Sequence, residues 1–446
     1  MAAGGGLLLG SDLLSFVRHG ILLHRCDGPS LDGRAVGGTC GDGPRAPSHP
    51  TTLVAMSVQP SSMPRRRRSW LLIVTSVLLG LGAVAIAVLI VRAGSPTAAV
   101  VGVLLAALPV PLLIGFYLWL DRYEPEPVRY LAAGLGWGAV AATSLGAIFT
   151  ALGAELTGVS EDLTGVIWAP IAEELAKGLF LVAVVLLRRR QVHGLLDGIV
   201  YAGMVGIGFA FTENILYYMQ SYLGDGEVPS GVGAATSLFI LRGVISPFAH
   251  PLFTAALGIG LGYAIASRSR TMRLLAPLLG YAAAVGLHAA WNGSALLGGT
   301  ATFLLTYVLG MIPALALVFG LALWVRRREG RLLAYALDDC ARMGWLHPDE
   351  VPWTASLAHR ASARAYARRM RGPAGVRALR EYQQVLTEMG FLHDRVMRGV
   401  APSDVGPRMA EIRHRMSAWR PYVVLPPPLP RGHLAVYGPR NSGLTR

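Results

Sequence analysis

The chain has 446 residues, of which 53% are hydrophobic and only 15% charged, and its mean hydropathy is +0.48. These values are typical of a polytopic membrane protein and exclude an ordinary soluble domain. A net charge of +14 would suit a nucleic-acid-binding protein, but the basic residues stand in short runs beside apolar segments. Such runs indicate membrane topology, so we expect no nucleic-acid partner. The three cysteines form no Cys-x-x-Cys motif and predict no disulfide framework.

The first 63 residues are rich in glycine, proline and serine and contain no sustained hydrophobic period. Their one apolar run, at 7–23, is too short for a membrane span and is interrupted by Arg18 and His19. We therefore predict a disordered extension over 1–63, or a natural start at Met56 or Met63.

From residue 70 onward, apolar segments follow one another, each close to the roughly 20 residues that a helix needs to cross a bilayer. The sequence predicts an all-α fold, a polytopic transmembrane helical bundle of about eight spans, with a core at 64–327. The sixth span contains Arg242 and Pro247, so we expect it to be broken, tilted or preceded by a short interfacial helix. The predicted spans are 70–91, 98–120, 128–152, 165–187, 198–219, 234–266, 274–297 and 302–325.

The loops between the predicted spans alternate in charge. The loops on one side carry arginine clusters, whereas those on the other carry five acids and almost no basic residue. By the positive-inside rule, both termini are expected in the cytoplasm. The basic loops are 65–68, 121–129, 188–190, 268–273 and 326–328.

The region after the last span, 328–420, is polar and basic. Its helical periodicity predicts a small cytoplasmic helical domain, as at Leu379, Tyr382, Val385 and Leu386. A solvated appendage is favoured over an interaction or regulatory role. A proline-rich stretch at 425–430 falls within the last segment, 421–446, for which we predict a disordered tail.

Charged side chains interrupt the fourth predicted span. Glu173 and Lys177 are four residues apart and share a helix face, whereas Glu174 lies about 100° round the helix. A charge at the bilayer centre costs roughly 2.5–3.5 kcal/mol on insertion scales, so three such groups in one turn need partners or a function. Lysine can neutralise one glutamate and leave the other as a base. Our interpretation pairs Lys177 with Glu173 and leaves Glu174 freer to face water.

Polar residues also interrupt the next three spans. Each has a structural interpretation: an interhelical ion pair, a hydrogen-bonded packing histidine or a polar latch between helices. Their occurrence on four consecutive spans nevertheless favours a functional site. These residues are Glu213 and Asn214 after Phe209 in the fifth span, His250 in the sixth, and His288 and Asn292 in the seventh.

This set of side chains suits two hydrolytic mechanisms. His250, His288 and Glu213 are suitable zinc ligands that would leave a position open for water. Alternatively, a buried carboxylate activates water while histidine and Asn292 stabilise the oxyanion. The same residues would also suit an ion- or proton-coupled transporter or a non-catalytic membrane scaffold. The sequence contains no His-Glu-x-x-His motif, and Ser294 has no Gly-x-Ser-x-Gly context.

Four motifs, in order and on successive spans, resemble those of the PrsW family of intramembrane proteases, itself distantly similar to the CAAX prenyl endopeptidase and bacteriocin-processing group. That wider group has histidine where this chain has Glu213, and the resemblance covers about 110–325. The motifs are Glu173-Glu174-x-x-Lys177, Phe209-x-x-x-Glu213-Asn214, the His250 motif and His288-x-x-x-Asn292.

The resemblance implies an endopeptidase that cleaves a membrane-anchored protein, such as an anti-sigma factor, in a bacterial plasma membrane. It implies that Glu173 and Glu174 are the catalytic carboxylates. His250 and His288 are then metal ligands or oxyanion stabilisers. A zinc mechanism and a metal-free glutamate mechanism both stay open. The supporting residues in the site are Lys177, Glu213 and Asn292.

Overall fold

The computed structural model describes eight parts of the chain. The predicted all-α class is confirmed, because the described residues form helices and no strand. The predicted extension over 1–63 lies outside them, as does the first predicted span apart from two single positions. The described residues are 80, 84, 95–123, 125–187, 194–224, 230–296, 298–399 and 404–429.

The membrane core contains, within the described residues, six helices long and apolar enough to cross a bilayer by length and composition. They correspond to six of the predicted spans. The predicted fourth span is also helical, but its three charged residues exclude it from that group by composition. In chain order the helices are α1 (Pro96–Leu120), α2 (Val128–Thr157), α3 (Ala169–Leu187), α4 (Leu195–Leu223), α5 (Val232–Phe239), α6 (Ala249–Ala266), α7 (Arg270–Leu296) and α8 (Gly299–Arg342).

Helix α4 is the central helix of the core, and most of its residues are buried. Small residues let neighbouring backbones approach it closely. A Cβ on Gly198 would lie only 2.1 Å from the carbonyl oxygen of Gly258 in α6. A Cβ on Gly208 would lie 1.9 Å from the carbonyl oxygen of Leu135 in α2. Any side chain at either position would therefore push α4 away from its neighbour.

The predicted sixth span is broken, as expected. Helix α5 continues into a π-helical turn, Ile240–Ile245, and the backbone leaves helical geometry at Ser246. Helix α6 then begins, and Pro251 lies in its first turn, where a missing N–H breaks no helical hydrogen bond. This break puts His250 at the start of α6 and Arg242 in the π-helical turn.

The region at 328–420 is helical as predicted, and we call it the C-terminal domain; its predicted location is the cytoplasm. Helix α8 runs on into this region, followed by α9 (Glu350–Ala355), α10 (Leu357–Met397) and α11 (Val405–Trp419). Its core contains Leu333 and Leu337 of α8 with residues of α10 and α11. The predicted domain boundaries stay predictions. In the last described segment, 421–429, the partly buried Val423, Leu425 and Leu429 pack against a cluster of Trp353, Ala363, Ala367 and Leu379.

Helix α10 is in fact a hairpin of two antiparallel arms. The backbone is non-helical at Arg371 and Gly372, where Gly372 has φ +61°, directly before Pro373. Two hydrogen bonds between the arms have the spacing of an antiparallel pair. These are Arg360 Nη2 to Thr387 Oγ1, 2.6 Å, and Arg364 Nε to Gln383 Oε1, 2.8 Å.

Candidate active site

Polar side chains of four helices meet in the membrane core and form what we call the polar cluster. The convergence of α3, α4, α6 and α7 was predicted from the sequence for every member except Thr254. Thr254 lies four residues after His250 and therefore on the same face of α6. This spacing could have predicted its place in the cluster. The polar cluster comprises Glu173, Glu174, Lys177, Glu213, His250, Thr254 and His288.

Glu174 is the most completely satisfied carboxylate of the cluster. Lys177 Nζ lies 2.8 Å from Glu174 Oε1, and both residues are fully buried. His288 Nδ1 lies 3.1 Å from the same oxygen, and Thr254 Oγ1 donates to Glu174 Oε2 over 3.0 Å. Since both oxygens have partners, Glu174 joins α3 to α6 and α7.

Glu173 is the less satisfied of the two glutamates. Its Oε2 lies 3.6 Å from Lys177 Nζ and 3.7 Å from His288 Nε2, and it accepts no hydrogen bond although it is buried. The side chain as a whole keeps 15% exposure, against 0% for Glu174.

The predicted division of roles between the two glutamates is therefore reversed. Lys177 holds Glu174 more closely, and Glu173 is the freer group. Helical spacing shows which residues share a face, but not which face meets α6 and α7. Glu173 instead lies against α2, where a Cβ on Gly146 would stand 3.0 Å from its Cγ.

His250 connects the two halves of the cluster. Its Nδ1 lies 3.1 Å from Lys177 Nζ, and its Nε2 lies 2.7 Å from Glu213 Oε2. Its ring stands edge-on to that of His288, with 5.1 Å between centroids. Because an ionised carboxylate only accepts hydrogen bonds, Nε2 carries the proton and Nδ1 is the lone-pair nitrogen in this arrangement.

Arg242 supports this histidine from behind, and the sequence analysis treated it only as an interruption of the sixth span. Its Nη2 donates to Glu213 Oε2, and its Nε donates to Asn214 Oδ1 over 2.7 Å. Its guanidinium carbon lies 4.1 Å from the centroid of the Tyr217 ring. A cation within an apolar segment needs an anionic partner. The sequence offered Glu213 of the fifth span, which had no cation assigned to it, so the pair could have been predicted.

Asn292 lies apart from these contacts and serves as a latch between helices. Its Nδ2 donates to the carbonyl of Gly165, in the π-helical turn Thr164–Trp168 that leads into α3. Two further donors bind carbonyls of α3 itself. Tyr281 of α7 binds that of Ile171 over 2.8 Å, and Trp137 of α2 binds that of Ala176 over 3.0 Å. Together they fix the helix that carries both glutamates.

Three members of the cluster have the chemistry of a catalytic zinc site. Glu173, His250 and His288 each offer a ligand atom, and these atoms lie within 4.8 Å of one another. His288 has Nδ1 on Glu174, which leaves its Nε2 for a metal. His250 has Nε2 on Glu213, and its Nδ1 lies 3.1 Å from Lys177 Nζ, so Lys177 must move aside before this nitrogen can bind a metal. Two histidines and one carboxylate are a common zinc set, and the buried oxygen of Glu173 without a hydrogen bond fits a ligand role. The sequence had suggested Glu213 as the third ligand, whereas it contacts His250 here.

One of the comparisons with known proteins found a match in the membrane core. Residues 126–318 match the model of a family described as PrsW family intramembrane metalloprotease. The match extends from the start of α2 into α8 and contains every residue of the polar cluster, whereas α9, α10 and α11 lie beyond it. No curated protein and no solved structure matches the chain significantly.

Proposed function

Because residues 126–318 are a PrsW-family intramembrane protease domain, we propose that the polar cluster is its active site. There the enzyme hydrolyses a peptide bond of a membrane-anchored protein. The observation that carries this assignment is Glu173 Oε2, a buried carboxylate oxygen beside Lys177 and His288 that accepts no hydrogen bond. An ion pair that serves packing alone needs no second carboxylate with an open oxygen beside two histidines.

Glu173 is the central carboxylate in both mechanisms that the sequence leaves open. In a metal-bound enzyme Glu173, His250 and His288 would hold the ion, which would supply Lewis-acid polarisation of the scissile carbonyl. In a metal-free enzyme Glu173 Oε2 takes the proton of the attacking water. Glu174 and Lys177 have the same role in either case: they hold the histidine pair and the reacting carboxylate in place.

The depth of the cluster supports cleavage in one half of the bilayer. His288 lies about 12 Å, and Glu213 about 15 Å, from the ends of their helices at Leu296 and Leu223. His250, by contrast, lies about 24 Å from the end of α6 at the opposite face. We propose that the nearer face is the outer one, since the basic loops predict that both termini are cytoplasmic.

The substrate that we propose is a membrane protein with a short segment in that outer half. An anti-sigma factor, which the family resemblance implies, would have this form. The proposed location is the bacterial plasma membrane. This part of the proposal rests on the family alone and not on a feature of the polar cluster.

The decisive experiment compares Glu173→Gln with Glu174→Gln in protein reconstituted into nanodiscs, with a fluorogenic substrate that contains a membrane segment. We expect Glu173→Gln to lower the cleavage rate by about 10²- to 10⁴-fold with little change in thermal stability, because its reacting oxygen accepts no hydrogen bond. Glu174→Gln should lower both activity and stability, since Lys177, His288 and Thr254 lose a charged partner. Normal cleavage by Glu173→Gln contradicts the proposal.

Metal analysis of the same samples separates the two mechanisms. Stoichiometric zinc that is lost in His250→Ala, His288→Ala and Glu173→Gln supports the ligand role of these three residues. Full activity in protein shown to be free of metal supports the glutamate mechanism instead. The His393→Ala variant, altered in the C-terminal domain, is the matched control and should keep both its metal content and its activity.

A further inference from the structure

The tip of the α10 hairpin carries only positive charge. Between Arg364 and Arg380 the sequence contains six arginines and neither aspartate nor glutamate. Five of them are exposed, and among the described residues none of the five has an ion-pair partner. We call these five residues the basic tip: Arg368, Arg369, Arg371, Arg377 and Arg380.

Arginines elsewhere in the same domain behave differently. Arg342, Arg398, Arg415 and Arg420 each lie within 3.0 Å of a carboxylate oxygen. The domain thus pairs many of its surface arginines with acids and leaves the basic tip unpaired. A concentration of unpaired charge on one exposed surface suits an anionic partner, because it would otherwise only repel itself.

Contacts of the hairpin indicate that it lies along the membrane surface. In the first arm, Arg360 Nη1 donates over 3.2 Å to the carbonyl of Tyr123, three residues after the end of α1. Just after the second arm, a Cβ on Gly399 would lie 3.6 Å from Arg268 in the connection between α6 and α7. Both connections belong to the face from which α8 leaves the membrane core. The second arm of α10 therefore follows that face.

The basic tip extends past the edge of the helical bundle. Burial lowers the pKa of Arg364, and the positive charges of Arg380 and Arg122 lower it further. Because Arg122 follows the end of α1, the hairpin passes beside that end of the helix near Arg364 and Arg380. From Arg380 the arm continues for about 12 Å to the turn at Gly372. Helix α1 has little surface buried by the described residues. Among those residues, none covers the tip on the side that faces away from the bundle.

We propose that the basic tip binds anionic phospholipid headgroups of the leaflet from which α8 emerges and so holds the C-terminal domain flat on the membrane. Guanidinium groups bind phosphate oxygens in pairs of hydrogen bonds, and clusters of four to eight basic residues next to a membrane helix are sufficient for such binding. The tip lies outside the region matched by the protease family, so this binding is independent of the proposed catalysis.

The test uses two exposed methionines of the full chain as probe positions. Met370 is 58% exposed at the tip, and Met343 is 45% exposed directly after α8, away from the membrane. Each is changed to cysteine, Met370→Cys or Met343→Cys, in a chain in which Cys26 and Cys40 are replaced by serine, and is labelled with a fluorophore. Cys340 is fully buried and should not react. The protein is reconstituted into nanodiscs that contain headgroup-spin-labelled lipid as a quencher.

In nanodiscs with about 30% phosphatidylglycerol, we expect quenching at position 370 to exceed that in pure phosphatidylcholine by at least about two-fold. The excess should disappear between about 0.1 M and 1 M salt, as the screening length falls from about 10 Å to 3 Å. It should also disappear when all five arginines of the basic tip are changed to glutamine. Position 343 should respond to none of these changes.

Equal quenching at positions 370 and 343, or quenching at 370 that survives the five substitutions, would overturn the proposal. So would protection of the probe by added RNA or acidic peptide in neutral nanodiscs without a response to phosphatidylglycerol, because the tip would then bind a soluble partner. Cleavage activity is not part of the readout. Failure of the protease assignment and failure of this proposal are therefore distinguishable.

Discussion

Two buried cations, one in the membrane core and one in the C-terminal domain, have opposite kinds of partner. Lys177 has no solvent exposure and lies among ionisable groups: Glu174 at 2.8 Å, His250 at 3.1 Å and Glu173 at 3.6 Å. In a medium of low dielectric constant, each of these contacts is strong, and the loss of any one changes the others. The membrane core thus concentrates charge around a single ammonium group.

Arg360 is equally secluded, with 4% exposure, yet its hydrogen-bond acceptors are neutral. Its guanidinium donates to the carbonyls of Thr354 and Tyr123 and to the hydroxyl of Thr387. Burial lowers the pKa of Arg360 to about 10, which still leaves it charged at neutral pH. Its donors are matched by fixed backbone and hydroxyl oxygens, so it connects helices without activating a neighbour.

The difference shows what separates a reactive buried charge from a structural one. The structural cation is satisfied by groups that cannot change their protonation. The membrane cluster retains an imidazole nitrogen and a carboxylate oxygen whose roles change with proton or metal. Burial alone therefore does not indicate a catalytic group, whereas ionisable partners do.

The largest effect on stability is expected for Lys177→Met. Removal of the ammonium leaves Glu174 buried beside Glu173 without its cation, and breaking a buried pair from one side costs about 3–5 kcal/mol. Thermal unfolding in detergent measures the loss. The double variant Lys177→Met/Glu174→Gln removes both partners and should recover part of the stability. A double variant less stable than Lys177→Met would contradict the direct pairing of these residues.

A smaller and local effect is expected for Arg360→Met. The carbonyl of Tyr123 and the hydroxyl of Thr387 lose a charged donor. This loss should lower the free energy of unfolding of the C-terminal domain by about 2–3 kcal/mol. Hydrogen exchange of α10 should report the loss, while cleavage in the membrane core stays within about two-fold because Arg360 contacts no residue of the polar cluster. Arg364→Met is the control, since Arg364 has a single hydrogen bond among the described residues, to Gln383, and the expected effect is smaller.

The sequence predicted the membrane spans and the helices that carry the polar cluster, because apolar length and i, i+4 spacing are local properties. It could not predict that Glu173 lies against α2 while Glu174 meets α6 and α7, since rotation of α3 depends on packing with three other helices. Arg242 was visible as a cation, but its contact with Glu213 joins residues on different helices. Such contacts depend on where the sixth span breaks.

The C-terminal domain shows the same limit. Its helical periodicity was readable, and the Gly372-Pro373 pair indicated a turn, yet nothing local predicted that Arg360 would reach Tyr123 at the end of a membrane helix. That contact brings together residues more than two hundred positions apart. Long-range partners of this kind follow from the arrangement of domains and not from any motif.

A moderate effect on catalysis is expected for Arg242→Gln. Without the guanidinium, Glu213 holds His250 Nε2 less firmly, and loss of such a supporting contact typically lowers activity about 10- to 100-fold. The fall should be in kcat more than in KM, and the ¹⁵N shifts of labelled His250 should show a mixture of tautomers. Arg242→Lys keeps the charge and should restore part of both readouts. Asn214→Ala removes the other partner of Arg242 and should change the tautomer little.

The smallest effect concerns Asp339 of the C-terminal domain. Its side chain is 29% exposed and forms an ion pair with His393. Hydrogen bonds from His393, at 3.0 Å, and from Arg342, at 2.8 Å, lower the pKa of the Asp339 carboxyl from its ordinary value. A carboxyl whose pKa is lowered by folding stabilises the folded state above its unfolded value, about 3.9, and that contribution is lost as the pH falls through the folded value.

Asp339→Asn should therefore destabilise the domain by about 1 kcal/mol at pH 7, and the difference from the natural chain should shrink as the pH falls below the unfolded value. Hydrogen exchange of α8 and α10 across this pH range measures it. Asp338→Asn is the matched control, since Asp338 is 39% exposed, pairs with the same Arg342 and should matter less. An equal effect of Asp339→Asn at pH 3 and pH 7 would mean that the side chain acts through its shape rather than its charge. The difference between the C-terminal domain and the Lys177 cluster of the membrane core would then depend on burial and not on ionisation.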